Sequence, residues 1–361
     1  MAWYFNKLKS VTRYPTKMAN PKKAQQNTIL DIAEALKLSP ATISRALSGH
    51  PHVKEKTKND VLKMAAQLGY RRNNMASGLR SNKTHTIGLI VPRISMFFHA
   101  EVITTIQNAL HKHGYNLIIC QSNDSLDMEK ELADILLSSR VDALIAACTL
   151  HTTDFSHFDK LLQNGTPVVF YDRVPLNEQN AAIIKGDDFR GGYIATAHLI
   201  ETGCKRIAHI SGPLTSNLYQ DRSSGFQQAM EQHKLAVNKN WVFHQELTHT
   251  NSREAMRKMF EGDITPDGVF TDNDTSAIAA LEFARERGIN VPGDLKIIGY
   301  SNDPRTSIIT PSITTIEQFP DEVGKKIVET IMSLLKSDGN NLDERTSAIT
   351  IPVQLIRRMT T

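Results

Sequence analysis

From residue 84 onward, short apolar runs alternate with amphipathic stretches, and no other feature of the chain constrains its fold as much. The runs THTIGLIVP, YNLIICQS, VDALIAAC and TPVVFYDR have the length and composition of buried strands. Between them, residues 100–112, 127–137 and 155–162 carry apolar side chains at helical spacing. Strands that alternate with helices predict a parallel sheet with helices on both faces, which is an α/β fold.

The same alternation begins again after Gly186. Residues 189–201, 224–232 and 276–287 fit helices, and the runs KRIAHISG, DGVFTD and LKIIGYSN fit strands. Two such series predict two doubly wound lobes, and folds of this type bind ligands at the carboxyl ends of their strands. The longest apolar runs, such as Thr86–Val91, are too short to span a bilayer.

A different pattern in residues 28–68 predicts three short helices, at about 28–36, 40–47 and 54–68. Thr28 and Ser39 are suitable N-caps, and Pro40 fits the first helical position because its missing N–H is not needed there. The third helix is predicted to bury a face formed by Val61, Leu62, Ala65 and Leu68. The chain is therefore predicted to begin with a small all-α module ahead of the α/β region.

The second of these helices has small, hydroxylated and basic side chains on its outward face, namely Ala41, Thr42, Ser44 and Arg45. A backbone that approaches base edges closely tolerates no bulk, and an arginine can donate two hydrogen bonds to guanine in the major groove. The pattern favours a helix-turn-helix, while periodicity alone also fits a generic three-helix bundle.

Charge is distributed unevenly along the chain. Of the 42 Lys and Arg, 16 lie in residues 1–83, together with 4 of the 38 Asp and Glu, which leaves 26 basic against 34 acidic residues in the rest. A basic excess in a separate small module favours a polyanion such as nucleic acid as its partner. A solvated surface is the alternative explanation of such a charge run.

The stretch TILDIAEALKLSPATISRALSGHPHVKEKTKNDVLKMAAQLGY resembles, without gaps, the DNA-binding headpiece of the LacI/GalR (lactose/galactose repressor) family of transcription regulators. The motifs D-I-A, S-x-x-T-I-S-R and the closing G-Y carry the resemblance. It implies that Pro40, Ala41 and Arg45 read bases in the recognition helix. It also implies that phosphates or adjoining bases are contacted by Ser39, Thr42 and Ser44.

Residues 72–83 are basic and polar and by themselves indicate a linker. By the same resemblance they form a hinge that becomes helical on operator DNA and enters the minor groove. Leu79 then stands where a leucine wedges a central base step apart, Ala76 faces its twin in the dimer, and Asn73 is a further DNA contact. Gly78 weakens this expected helix by about 1 kcal/mol relative to alanine.

Polar side chains follow several predicted strands of the α/β region. They are Asp172 and Arg173 after PVVFY, Asn273 and Asp274 after GVFTD, and Ser301 and Asn302 after KIIGY. Carboxylates, amides and guanidinium groups suit the vicinal hydroxyls and ring oxygens of a sugar. Phe98 is a candidate for an aromatic floor. We therefore expect a small, carbohydrate-like effector.

The region from residue 84 onward also resembles the family's effector domain, which shares its fold with periplasmic sugar-binding proteins. The resemblance is strongest at GGYIATAHLIETGCKRIAHISGP, and it implies that Arg222 contacts the effector and that Asp274 lies in the same site. Ser301 and Asn302 stand where family members often have paired Asp, which leaves the identity of the effector open. Capping of the following helix is an equally good explanation for Asp188 and Asp274.

Signals of enzymes and metal sites fail on inspection. A calcium loop that began at Asp272 would have Ala277 and Phe283 at its sixth and twelfth positions, where Gly and Glu are required. His111 and His113 are two residues apart, so they do not share a helix face. The sequence contains no P-loop, GxGxxG or GxSxG motif. We expect neither an enzyme nor a cofactor or metal.

These inferences predict a sequence-specific DNA-binding transcription regulator, expected to be a repressor, under the control of a small effector. Its partners are then a pseudo-palindromic operator, a second copy of the chain and the effector. A solute-binding protein of the same two-lobed fold is the main alternative, and the basic helical module and the missing signal peptide argue against it. A sugar kinase with an accessory DNA-binding domain would need a glycine loop for phosphate.

The expected order is an extension without stable structure at 1–26, a DNA-binding module at 27–71, a hinge at 72–83 and an effector domain at 84–361. Within the effector domain, we expect one lobe at about 84–186 with 317–350 and the other at 187–316 with 351–361. The cysteines lie far apart, without the spacing of metal ligands, as is typical of free thiols in the cytoplasm.

Overall fold

The computed structural model describes residues 27–70, 83–176, 180–336 and 348–361. Of these, residues 27–70 lie in one compact unit and the remainder lies in a second. We call the first unit the headpiece and the second the α/β unit.

The headpiece contains helices α1 (Ile29–Leu36), α2 (Pro40–Leu47) and α3 (Glu55–Gln67) within residues 27–70. Both predicted N-caps are confirmed. The Thr28 hydroxyl accepts a hydrogen bond from the amide of Leu30, and the Asp31 carboxylate accepts one from the amide of Thr28. The Ser39 hydroxyl accepts one from the amide of Thr42. Each hydrogen bond satisfies an amide that the helix itself leaves without a partner.

Ile32, Ile43 and Val61 are fully buried in the centre of the headpiece core. The prediction for Leu62 is wrong, because this side chain is 52% exposed. Met64 packs against the core instead. An α-helix completes one turn every 3.6 residues, so Met64 and Ala65, three and four positions after Val61, share its face. Leu62, the next residue, is rotated by about 100° from Val61.

The first sheet of the α/β unit contains six strands among the described residues. They are β1 (Thr86–Val91), β2 (Asn116–Gln121), β3 (Ala143–Ala146), β4 (Val168–Tyr171), β5 (Ala182–Gly186) and β11 (Ala348–Ile351). Their order is β11–β5–β4–β3–β1–β2, and all neighbours are parallel.

Helices cover both faces of this sheet. Along β1, Ile87, Leu89 and Val91 share a core with α4 (Phe97–Lys112) and α12 (Pro320–Lys336). Ile90 points to the opposite face, where α5 (Leu126–Ser138) and α6 (Asp159–Gln163) pack. Side chains alternate between the faces of a strand, and a strand buried on both faces is therefore apolar throughout. We call this sheet with its helices the first lobe.

The second sheet consists of β6 (Ile207–Ser211), β7 (Val242–His244), β8 (Gly268–Thr271) and β9 (Lys296–Ile298). Its order within the described residues is β7–β6–β8–β9, again parallel. One face packs against α7 (Asp188–Glu201) and α8 (Asn217–Gln232), and the other packs against α9 (His249–Met259) and α10 (Asp274–Glu286). This is the second lobe, which also carries the short helix α11 (Arg305–Ile308).

The two sheets have the same winding, since β2–β1–β3–β4 and β7–β6–β8–β9 are ordered alike. The predicted α/β fold with two doubly wound lobes is therefore confirmed. Over the described residues the chain crosses between the lobes after β5, after β10 (Thr315–Glu317) and after β11. β10 pairs antiparallel with β12 (Gln354–Ile356) beside the crossings. Within these same residues, no helix is both long and apolar enough to cross a membrane.

Candidate functional site

A cavity of about 370 Å³ lies between the two lobes, next to the carboxyl ends of their strands. The first lobe lines it with charged and apolar side chains that include Arg93, Phe97, Phe98, Asp124, Leu150 and Arg173. The second lobe adds Tyr219, Glu246, Asn273, Asp274, Ser301, Asp303 and Arg305. The volume is within the range of small-molecule sites, which are about 300–1,000 Å³.

Two arginines share one carboxylate on the first-lobe side of the cavity. Nε of Arg93 lies 3.2 Å from Oδ2 of Asp124, and Nη1 of Arg173 lies 2.5 Å from Oδ1 of the same residue. Burial alone would raise the pKa of Asp124, but the charge and hydrogen bond of Arg173, the amide of Leu150 and the charge of Arg93 together outweigh it and lower the pKa. Asp124 is therefore an anion that holds both guanidinium groups in place.

The second-lobe side is built around the buried carboxyl group of Asp274. It accepts hydrogen bonds of 2.7 Å from the Thr315 hydroxyl and the Asp303 amide. Burial outweighs these two hydrogen bonds and raises the pKa of Asp274 to about 7. Beside it, Asp303 forms an ion pair of 2.7 Å with Arg305. The two walls of the cavity thus differ in the charge they present.

Several contacts cross the cleft and hold the lobes together. Arg93 of the first lobe bonds Glu246 of the second at 2.8 Å. The Asn217 side chain accepts from the amide of Val174 and donates to the carbonyl of Asp172. Leu150 packs against Leu218 and Tyr219, and its carbonyl accepts a hydrogen bond of 2.6 Å from the Thr215 hydroxyl. The cavity is therefore enclosed by both lobes.

The structure brings five of the predicted effector residues to this cavity, namely Phe98, Arg173, Asn273, Asp274 and Ser301. They come from α4 and from the segments that follow β4, β8 and β9. The carboxyl ends of parallel strands meet at one edge of a sheet, and two sheets that face each other bring both edges together. Their role as effector contacts stays a prediction.

Arg222, which the sequence also predicts as an effector contact, is buried in the second lobe outside the cavity lining. Its Nε bonds Asp188 at 2.8 Å, and its Nη1 bonds the carbonyl of Asp272 at 2.7 Å. The guanidinium lies 3.5 Å from the centre of the Tyr300 ring. Desolvation opposes its charge, but Asp188, Tyr300, Asp272 and Tyr219 together outweigh it and raise the pKa of Arg222. In this arrangement Arg222 supports the strand ends that carry Asn273 and Ser301.

Asp172 and Asn302 are likewise not among the residues that line the cavity. The carboxylate of Asp172 lies 3.8 Å from Nε2 of the buried His99. The Asn302 amide donates to Glu317 and accepts from Arg358, at 2.6 Å in both cases. Asn302 therefore joins the segment after β9 to the crossings beside β10 and β12.

Helix capping, the alternative for Asp188 and Asp274, is performed in each case by the preceding residue. Asp187 accepts a hydrogen bond from the amide of Arg190, and Asn273 accepts one from the amide of Ser276. Asp188 bonds Arg222 and the Tyr300 hydroxyl instead. The first-turn carboxylates are thus free of capping and engage in tertiary contacts.

Sequence reasoning missed several cavity residues, above all Arg93, Asp124 and Glu246. Each lies within three residues of the end of a strand, β1, β2 or β7. The rule that drew attention to β4, β8 and β9 would have found them if it had been applied to these strands as well. β7 is three residues long, which is too short for a visible periodicity.

The headpiece presents the predicted DNA-binding side chains on α2 and at its N-cap. Ser39, Pro40, Ala41 and Arg45 are exposed, and Thr42 and Ser44 are half-buried. The hydroxyls of Ser39 and Thr42 lie 2.9 Å apart. Arg45 extends from the last turn of α2 into solvent. The predicted hinge residues Asn73, Ala76 and Leu79 lie outside the described residues.

A helix-turn-helix joined to a two-lobed unit with a cleft defines a DNA-binding regulator that carries a ligand domain. Comparison with known proteins supports this class. Residues 28–73 match the description "Bacterial regulatory proteins, lacI family", and residues 196–361 match "Periplasmic binding protein-like domain". The chain is 31% identical over 312 residues to the HTH-type transcriptional repressor PurR of Histophilus somni, covering 86% of this chain and 93% of that protein.

Solved structures have the same fold. The Lac repressor dimer bound to operator and the anti-inducer ONPF is similar with a TM-score of 0.82 and 22% identity, covering 93% of this chain and 99% of that one. A periplasmic binding protein/LacI transcriptional regulator from Alkaliphilus metalliredigens, complexed with D-xylulofuranose, is similar with a TM-score of 0.66 and 28% identity, covering 77% and 99%.

The chain therefore belongs to the LacI family and is a DNA-binding transcription regulator with an effector-binding domain. The resemblance noted in the headpiece is confirmed. The lacI-family match at residues 28–73 favours a regulator over the solute-binding alternative, because the match includes the helix-turn-helix formed by α1 and α2. The relatives compared are transcriptional regulators by name.

Proposed function

We propose that this protein is a dimeric repressor whose affinity for a pseudo-palindromic operator is controlled by a small, carbohydrate-like effector bound between the lobes. The cavity carries the proposal, because side chains from both lobes line it. A ligand that touches both lobes binds their closed and open arrangements with different affinity, and it can therefore shift the equilibrium between them. Residues 27–71 bind DNA in this proposal, 72–83 form the hinge and 84–361 bind the effector.

The lining suits a hydroxylated ligand. Asn273, Asp274 and Ser301 offer amide, carboxyl and hydroxyl groups, Arg173 offers donors, and Phe98 offers a ring face. The regulator from Alkaliphilus metalliredigens is complexed with a sugar, D-xylulofuranose, in a fold of the same kind. Both observations support a sugar or sugar derivative as effector.

A homodimer follows from the way a helix-turn-helix reads DNA, since two copies related by a twofold axis match two symmetric half-sites. The Lac repressor is a dimer in its operator complex. We also propose that the protein works in the cytoplasm, where its DNA is, without catalytic activity and without a metal or cofactor.

Substitution of Arg45 tests the DNA-binding proposal. We expect Arg45→Ala to weaken binding to an operator selected from a random library by about 1–3 kcal/mol, because a bidentate contact to guanine is lost. Binding to a random duplex should change little. Fluorescence anisotropy on both duplexes measures this, with Lys63→Ala on α3 as the control. Equal losses on both duplexes would show that Arg45 contacts phosphate and does not read bases.

Ligand control is tested on the same labelled operator with the wild-type protein. We expect at least one pentose or hexose derivative that binds by calorimetry to change the operator affinity about fivefold or more, as is typical of allosteric coupling. A sugar that binds the protein and leaves the operator affinity unchanged would contradict ligand control.

A further inference from the structure

Positive groups are concentrated on one wall of the cavity. On the first-lobe side, Arg93 and Arg173 share the single carboxylate of Asp124. The carboxylate of Asp172 lies outside the lining, next to His99. On the second-lobe side the lining carboxyl groups are Glu246, Asp274 and Asp303, with Arg305 paired to Asp303. A ligand between these walls therefore meets guanidinium groups at one end and carboxyl groups at the other.

Arg173 keeps donor capacity in this arrangement. Its side chain is 5% exposed, and Nη1 is bonded to Asp124 at 2.5 Å. Among the described residues, its buried Nε has no hydrogen-bond partner. This Nε is closed off from the cavity as well as from water, so a ligand would meet the part of the guanidinium group that lines the cavity. The N–H groups there favour a ligand that brings acceptor oxygens.

Arg93 is held less firmly, at the mouth of the cavity. Its side chain is 44% exposed, and that of its second-lobe partner Glu246 is 48% exposed. An ion pair in contact with water is weak, and its charges are partly screened. Glu246 is the carboxylate that the second lobe extends to this guanidinium. An anion inside the cavity would compete with Glu246 for Arg93.

We propose that the effector is an anionic carbohydrate, a hydroxylated ring or chain that carries a carboxylate or a phosphate. Its anionic group binds Arg93 and Arg173 and displaces Glu246, and its hydroxyls bond Asn273, Asp274 and Asp303. Phe98 and Tyr219 contact its apolar face. The inference rests on the proposed function, because it assigns a ligand class to the same cavity. Sugar acids and sugar phosphates share the required chemistry.

Matched ligands and two substitutions test this assignment. Calorimetry on the full-length protein compares D-glucose with D-gluconate, D-glucuronate and D-glucose 6-phosphate, and D-ribose with D-ribose 5-phosphate. We expect at least one anionic member to bind tenfold or more tightly than its neutral counterpart, with an affinity that falls as salt rises. The carboxylate and phosphate arms distinguish the two sources of the anion.

The two substitutions should act in opposite directions on the anionic ligand. Arg93→Gln should weaken its binding by about 10- to 100-fold, the usual cost of losing a hydrogen bond to a charged group. Glu246→Gln should strengthen it several-fold, because the competing carboxylate is gone. The readout is the ratio of anionic to neutral affinity, because loss of the Arg93–Glu246 contact across the cleft acts on both kinds of ligand alike. Arg257→Gln and Glu261→Gln, which break an ion pair on the surface of the second lobe, are the matched controls.

Three results would overturn the inference. Neutral sugars could bind as tightly as their anionic counterparts, which would leave ligand control by a sugar intact. Arg93→Gln could weaken neutral and anionic ligands alike, which would make Arg93 a residue that shapes the cavity. Failure of the whole panel to bind would count against the proposed carbohydrate effector as well.

Discussion

Among single residues, Arg222 is a charged side chain that is buried in the second lobe. Its guanidinium and the Asp188 carboxylate form an almost fully buried ion pair of 2.8 Å, and the Tyr300 hydroxyl bonds the same carboxylate at 3.1 Å. Burial nevertheless raises the pKa of Asp188 to about 6. The desolvation of a buried pair offsets most of its attraction, but removal of one partner leaves an unpaired charge in the interior.

We therefore expect Arg222→Met to lower the free energy of unfolding by about 3–5 kcal/mol at pH 7, because it strands the charge of Asp188. The double variant Arg222→Met with Asp188→Asn should recover a large part of this loss. Urea denaturation of the wild type, the two single variants and the double variant measures the coupling free energy between Arg222 and Asp188. Additive effects of the two substitutions would show that the pair contributes nothing specific.

Asp274 allows a test of pH dependence. Its pKa is about 7 in the folded protein and about 4 when unfolded. Between these two pKa values the folded state binds more protons than the unfolded state, so the contribution of Asp274 to stability falls as the pH rises. Relative to the wild type, Asp274→Asn should therefore gain about 2–3 kcal/mol between pH 5 and pH 8.

Chemical denaturation of wild type and Asp274→Asn over this pH range measures the difference, which cancels the titration of all other groups. Asp303→Asn is the control, because Arg305 outweighs the effect of burial and lowers the pKa of Asp303. A difference that stays constant from pH 5 to pH 8 would mean that Asp274 is fully ionised in the fold.

At the level of elements, α7 and α8 approach each other closely at two glycines. A Cβ at Gly192 would lie within 2.1 Å of the carbonyl oxygen of Arg222, and one at Gly225 within 2.1 Å of that of Phe189. Hydrogen is thus the largest group that fits at either position. This approach holds Arg222 against the start of α7, where Asp188 lies.

Gly192→Ala should accordingly lower the free energy of unfolding by about 3 kcal/mol, since backbone atoms must move to admit the methyl group. Thermal unfolding measures the loss. Gly262→Ala is a matched control, because its Cβ would meet one atom, at 3.8 Å. If both variants were equally stable, the two helices would have to separate without cost.

Over the whole molecule, exposed apolar side chains mark surfaces that a dimer can cover. Ile308 on α11 is 80% exposed, and Met359, whose amide bonds the carbonyl of Ser312, is 61% exposed. β2 is an edge strand with exposed Ile118 and Ile119. Exposed apolar side chains and edge strands are features that protein–protein contacts often cover.

We expect Ile308→Lys to weaken the proposed dimer at least tenfold, because a charge must be buried at the interface. Sedimentation equilibrium measures the dissociation constant. Ile264→Lys is the control, since Ile264 is exposed in a surface turn. If Ile264→Lys weakened the dimer and Ile308→Lys did not, the dimer interface would lie on another surface.

Local pattern was sufficient for much of this architecture. Strand and helix periodicity predicted both lobes, and cap chemistry predicted the starts of α1 and α2. The strand-end rule predicted Arg173, Asn273 and Ser301 at one site, and all three line the cavity. These features depend on residues that are close in sequence. The apolar residues of each helix or strand recur at the spacing of that element, so the face predicted from the sequence is the face that is buried in the fold.

Other features depend on contacts between distant parts of the chain. α8 begins at Asn217, seven residues before the predicted start, because the polar side chains of its first turns find partners in other elements. The burial of Arg222 depends on Asp188, 34 positions away. Arg93 and Glu246 are 153 positions apart and come into contact only because the two lobes close on each other. The residues next to either of them in the sequence do not predict this contact.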